Sequence, residues 1–128
     1  MKDLPLAGRN ILIVEDELLI AMDIEASIQD AGGTVVGPAG TVDAALDAVD
    51  SGALIDGAVL DVNLRGKFVY PVADALTTLG IPFVVATGMA NFQLPEAFRA
   101  GRVLTKPYLT AELNQALTAA LQDHAASA

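Results

Sequence analysis

The strongest constraint on this chain is a repeated juxtaposition. Four short runs are almost wholly apolar: Ile11-Leu12-Ile13-Val14, Gly57-Ala58-Val59-Leu60, Phe83-Val84-Val85-Ala86 and Val103-Leu104. Each leads within two residues to a polar side chain: Asp16, Asp61, Thr87 and Lys106. A strand buried on both faces reads as a continuous apolar run, whereas a half-exposed strand alternates. Such runs alternate with helical patterns about five times, which predicts βα repeats and a parallel sheet. Parallel strands end on one edge, so all four polar residues are expected there, at the edge where open α/β folds bind ligands.

The elements between the runs follow from periodicity and punctuation. A first strand at about 10–14 leads into a helix at about 17–31, with Ile20, Ile24, Ile28 and Ala31 as its core stripe and Gly32-Gly33 at its end. A second strand near 34–36 precedes a helix with Thr41 as N-cap, its inner stripe being Val42, Ala45, Leu46 and Val49. Pro71 is placed as the first residue of a third helix, with Val72, Ala75, Leu76 and Leu79 facing inward. The fourth strand begins near Pro82, and the last helix, after Thr110, carries Leu113, Leu117 and Leu121. Between Thr87 and Lys106 the chain must leave the sheet and return, with Gly88, Pro95 and Gly101 as breaks. Room remains for about two turns at 95–100, below the ~12 residues of an average helix, so a short or poorly ordered fourth helix is expected. Right-handed crossovers favour strand order 2-1-3-4-5, which sets strands 1 and 3 side by side at the switch point.

Length and composition narrow the function. The 128 residues make one domain, with termini expected to fray over 1–8 and 123–128. No apolar stretch nears the ~18 residues of a membrane helix, and Met1-Lys2-Asp3-Leu4-Pro5 has no apolar signal segment. The 53% hydrophobic content is accounted for by a sheet covered on both faces and alanine-rich helices. The absence of cysteine excludes disulfides and thiolate metal sites and fits a cytoplasmic home. A formal charge of −9 repels a nucleic-acid backbone and favours divalent cations.

The acids suggest a specific chemistry. Glu15-Asp16-Glu17 is three acids in a row, and Asp61 is expected to join them in space. Clustered carboxylates repel one another until a cation relieves them. Oxygen-only ligands suit Mg²⁺, which keeps several waters, so two carboxylates and a main-chain carbonyl, available from the loop at Asn63, suffice. An aspartate is also a competent nucleophile toward phosphorus, and such a transfer depends on charge neutralisation and in-line positioning. Lys106 and the Thr87 hydroxyl are the candidates to bond the phosphoryl oxygens. The single histidine, His124, lies in the tail and is read as inert.

These segments resemble the receiver domain of two-component response regulators over essentially the whole chain. The resemblance is carried by Ile11-Leu12-Ile13-Val14-Glu15-Asp16-Glu17, Leu60-Asp61, Ala86-Thr87-Gly88 and Lys106-Pro107, in order and at compatible spacing. It implies the flavodoxin-like, doubly wound, five-stranded parallel sheet with helices on both faces. It implies Asp61 as acceptor of phosphate from a sensor histidine kinase or a histidine phosphotransfer protein. Mg²⁺ would be bound by Asp16, Asp61 and the Asn63 carbonyl, with Glu15 acting indirectly. Thr87 would be the switch residue, Lys106 the phosphate contact, and the Lys106–Pro107 bond would be cis. Partners dock on the first helix in this family, which makes Leu19 and Ile20 candidate contacts. No appended output domain is expected, so output is expected through an unidentified downstream protein, with no enzymatic activity beyond self-phosphorylation and self-dephosphorylation.

Three features depart from the family pattern. Val103 occupies the place of an aromatic that commonly turns inward when the threonine moves. The Thr87-to-Lys106 segment is short. The loop Val62-Asn63-Leu64-Arg65-Gly66 lacks a common proline. Ala86-Thr87-Gly88, the short segment and the missing aromatic resemble the stand-alone receivers of alphaproteobacterial general stress signalling, although Val85 and Met89 depart from that subgroup's fuller pattern. A switch that orders 88–100 is the expected consequence. Two other classes compete: a phosphorylation-independent module that keeps the fold, and a phosphatase of the haloacid-dehalogenase type. The intact acid, threonine and lysine set argues against the first. The second lacks its second acid in Asp61-Val62-Asn63. A nucleotide or flavin site is disfavoured because acids, not a glycine-rich loop, follow the first strand.

Overall fold

A computed structural model describes residues 4–88 and 101–127, with side chains described to residue 123. The expected short helix at 95–100, the ordering of 88–100 beyond Gly88, Met89 and the His124 side chain therefore lie outside what is described. Five parallel strands form one sheet: β1 (Asn10–Val14), β2 (Thr34–Ala39), β3 (Gly57–Asp61), β6 (Phe83–Thr87) and β7 (Arg102–Thr105). Their order is β2-β1-β3-β6-β7, the predicted 2-1-3-4-5 arrangement. The two extra labels belong to an unforeseen antiparallel hairpin, β4 (Asn63–Leu64) and β5 (Lys67–Phe68), in the loop after β3. Four helices are described: α1 (Leu18–Asp30), α2 (Val42–Asp50), α3 (Tyr70–Thr78) and α4 (Thr110–Ser127).

Burial follows strand position. The central strands β3 and β6 are buried throughout, whereas the edge strands β2 and β7 are largely half-exposed. Alternate residues feed two cores. Leu12, Val14, Leu60 and Val85 pack with Val49, Val72 and Leu76 under α2 and α3. Ile11, Ile13, Val59 and Val84 pack with Ile24, Ile28, Leu113 and Leu117 under α1 and α4. This is a doubly wound sheet with both faces covered.

Helix ends follow local chemistry. Gly32 (φ +92) carries α1 into the left-handed region. The Gly33 amide then donates to the Ile28 carbonyl at 2.9 Å and the Gly32 amide to that of Gln29 at 3.0 Å, the paired bonds of a Schellman stop. The Thr41 hydroxyl accepts from the Ala44 amide at 3.0 Å and caps α2.

The structure moves several expected details. Helix α3 begins at Tyr70, so Pro71 is its second residue and not the expected first. Leu79 leaves that helix as its C-cap and is 58% exposed, and Ala73 takes a buried place instead. Strand β2 continues to Ala39 through a cis Gly37–Pro38 bond and a register shift opposite Leu12 and Val14. An edge strand tolerates a proline that cannot donate. The N-terminal segment is docked from residue 4: Leu6 is fully buried and its amide donates to the Ala31 carbonyl at 2.8 Å. Leu6 thereby joins the α1 side of the core.

Candidate functional site

The carboxyl ends of β1, β3, β6 and β7 place Asp16, Asp61, Thr87 and Lys106 around one open pocket. Its volume is about 500 Å³, and its walls include Asp16, Asp61, Asn63, Phe68, Thr87 and Lys106. Parallel register does this without further instruction, since Val14 pairs with Leu60, Asp61 with Ala86 and Thr87 with Thr105. Asp61 is 8% exposed and Thr87 3%. Lys106 Nζ donates to Asp61 Oδ2 at 3.1 Å. The Lys106 amide donates to the Thr87 carbonyl at 2.8 Å, which ties the ends of β6 and β7 together behind the two side chains. The Lys106–Pro107 bond is cis, as the resemblance implied.

Glu15, Asp16 and Asp61 each offer a carboxylate oxygen, all within 4.8 Å of one another. Glu15 is buried, 5% exposed, and accepts from the Glu17 amide at 3.0 Å. Burial raises its pKa to about 7, the charge on Asp61 and a hydrogen bond to Asp16 add to the rise, and the Glu17 amide and Lys106 offset part of it. Three clustered carboxylates, with oxygen donors only, fit a hard divalent cation. Asp16, Asp61 and the Asn63 carbonyl are the groups that would hold it, with Glu15 behind them. Glu17 reaches only the rim.

Three features escaped the sequence reading. Phe68, stacked on Tyr70 with centroids 5.1 Å apart, forms part of the pocket wall. The Arg65 amide donates to Asp16 Oδ2 at 3.0 Å. Neither has a sequence signal, because an Arg-Gly pair is a weak hairpin cue beside Asn-Gly. Tyr108, half-buried beside α1, is held above the ordinary phenol range by burial and then by the charges of Glu15 and Asp61. It borders a second groove of about 430 Å³ with Ile20, Ile24 and Pro107. Leu19, 77% exposed, stands outside that groove with Leu18 and Met22, while Ile20 is half-buried in it.

No family model matches the chain. It is 30% identical over 119 residues to the phyllosphere-induced regulator PhyR of Methylorubrum extorquens, covering 87% of this chain and 43% of that protein's length. The solution structure of SdrG from Sphingomonas melonis Fr1 is 45% identical, with 95% of this chain and 99% of that one covered and a TM-score of 0.75. A BeF3-activated conformation of SdrG, from Pseudomonas melonis Fr1, matches at 45% identity, covering 94% and 99%, with a TM-score of 0.72. A response regulator receiver protein from Sinorhizobium medicae WSM419 aligns at 27% identity over 91% of this chain and 96% of that one, with a TM-score of 0.77.

Proposed function

The chain belongs to the response regulator receiver domains, and from that premise we propose that it is a phosphorylation-controlled signalling module with Asp61 as its acceptor. The observation that carries this is the seating of Asp61. It is almost buried, 3.1 Å from the Lys106 ammonium, and shares its pocket with Asp16 and Thr87. A carboxylate at the floor of an open pocket has one direction of approach, which suits in-line attack.

An Asp61 oxygen attacks phosphorus and forms the new P–O bond. The bond to the donor breaks, and its electron pair leaves with the donor atom, a histidine nitrogen in a sensor kinase or phosphotransfer protein. Bound Mg²⁺ supplies neutralisation of the phosphoryl oxygens. Lys106 passes from Asp61 toward the transferred group, and the Thr87 hydroxyl is the donor for another oxygen. The BeF3-activated conformation of SdrG supports the reading, because beryllofluoride is a tetrahedral phosphoryl analogue. Output through another protein, and a place in general stress signalling, belong to the same proposal. The latter rests on Ala86-Thr87-Gly88, on Val103 and on the shortened segment after Thr87. No helix among the described residues is long and apolar enough to cross a membrane.

Incubation with Mg²⁺ and acetyl phosphate, followed by intact-mass measurement, tests the proposal. A single phosphoryl adduct that is absent from Asp61→Asn is expected. No adduct on the wild-type chain would point to a phosphorylation-independent module, and sustained turnover of phosphate esters to a phosphatase.

A further inference from the structure

The hairpin after β3 carries an unusual backbone. Among the described residues, Arg65 is the one non-glycine with positive φ, at +52, and Gly66 follows at +86. Consecutive left-handed residues make a tight two-residue turn that is costly for arginine and persists only when its surroundings hold it. The surroundings here do. The Asn63 side chain accepts from the Gly66 amide at 2.7 Å, Asn63 pairs with Phe68 and Leu64 with Lys67, and the Val69 amide donates to the Val62 carbonyl at 2.9 Å. Leu64 anchors the hairpin in the α2–α3 core, 3% exposed. The strained turn aims the Arg65 amide at Asp16, 49 residues away in sequence, at 3.0 Å.

We propose that this hairpin is a positioning clamp for Asp16. The inference rests on the receiver reading, since it concerns how the cation site is held ready. Asp16 shares its cluster with the Asp61 carboxylate, which repels it, and it is half-exposed, so a side chain without a further donor is drawn toward solvent. The Arg65 N–H engages one carboxylate oxygen, Oδ2, and so fixes the orientation of the carboxylate. A main-chain donor adds no side-chain entropy to be lost and no competing charge. Asn63 then has two parts in one residue: its carbonyl is a candidate ligand, and its side chain closes the turn that holds a second ligand. Partners of this kind behind a metal ligand are worth ~10–100-fold in affinity.

Gly66 allows a clean test, because a Cβ there would meet nothing within 4 Å and only the positive φ penalises a side chain. Gly66→Val disfavours that φ, whereas Gly66→Asn tolerates it. Magnesium affinity is measured by calorimetry, alongside the thermal midpoint of the metal-free protein. Gly66→Val is expected to bind Mg²⁺ about 10-fold more weakly, and Gly66→Asn to stay within about twofold of wild type. A merely structural hairpin would lower the midpoint of Gly66→Val and leave its affinity unchanged, which overturns the clamp. Hydrogen exchange at the Arg65 amide gives an answer independent of that variant's folding. Protection is expected in wild type and lost in Asp16→Ala, and equal protection in both overturns the proposal. Wild-type protein without measurable Mg²⁺ binding would overturn the receiver reading and the clamp together. Tight wild-type binding shared by Gly66→Val would overturn the clamp alone.

Discussion

Glu15 is where a single residue says most about the site's working state. Its pKa, raised from 4.5 to about 7 chiefly by burial, means the folded protein retains a proton that the unfolded chain releases. Between those values the unfolded state binds fewer protons, so this group's contribution to stability is complete below about pH 4.5 and fades as pH rises through 7. Metal-free protein is therefore expected to show a falling thermal midpoint between about pH 4.5 and 7, and saturating Mg²⁺ to flatten that slope. Circular-dichroism melts at several pH values measure both. Lys106 pulls the Glu15 pKa down, so Lys106→Ala should carry it above 7, visible as a shifted carboxyl titration by ¹³C NMR. Asp16, Asp61, Thr87 and Lys106 were legible in the sequence because each ends an apolar run. The Glu15 shift was legible only as a tendency, since its size depends on the depth at which the residue lies.

At the scale of elements, glycines mark where chain approaches chain. A Cβ on Gly101 would stand 2.5 Å from the Phe83 ring and 2.7 Å from the Phe83 carbonyl oxygen. Because a backbone atom and a buried ring must both yield, Gly101→Ala is expected to destabilise by ~1–3 kcal/mol, read from urea unfolding. Removal of the α2 cap in Thr41→Ala should cost about 1 kcal/mol by the same measurement. Thr41, Gly32 and the alternating stripes of α1, α2 and α4 could be placed from sequence because capping and 3.6-residue periodicity are local effects. Leu79 could not, since periodicity does not say where α3 stops. The hairpin β4–β5 was hidden for a related reason: four strand residues bear little pattern, and the Arg65 conformation is imposed by partners distant in sequence.

At the scale of the whole molecule, the site's acids come from the turn after β1 and the end of β3 and meet only in the folded chain. A cation bound there binds the native state alone. Mg²⁺ at about 100 times its dissociation constant should then add ~2.7 kcal/mol to the unfolding free energy, reversed by EDTA and reduced in Asp16→Ala. Failure of Mg²⁺ to move the denaturant midpoint would contradict this. The α/β class, the strand order and the edge that carries the site are written into the chain, because apolar runs, crossover handedness and parallel register leave few alternatives. The pKa of Glu15, the docking of Leu6, the wall formed by Phe68 and the amide that holds Asp16 arise only on folding. Each of these depends on distances between segments far apart in sequence, and desolvation and hydrogen bonding act through space.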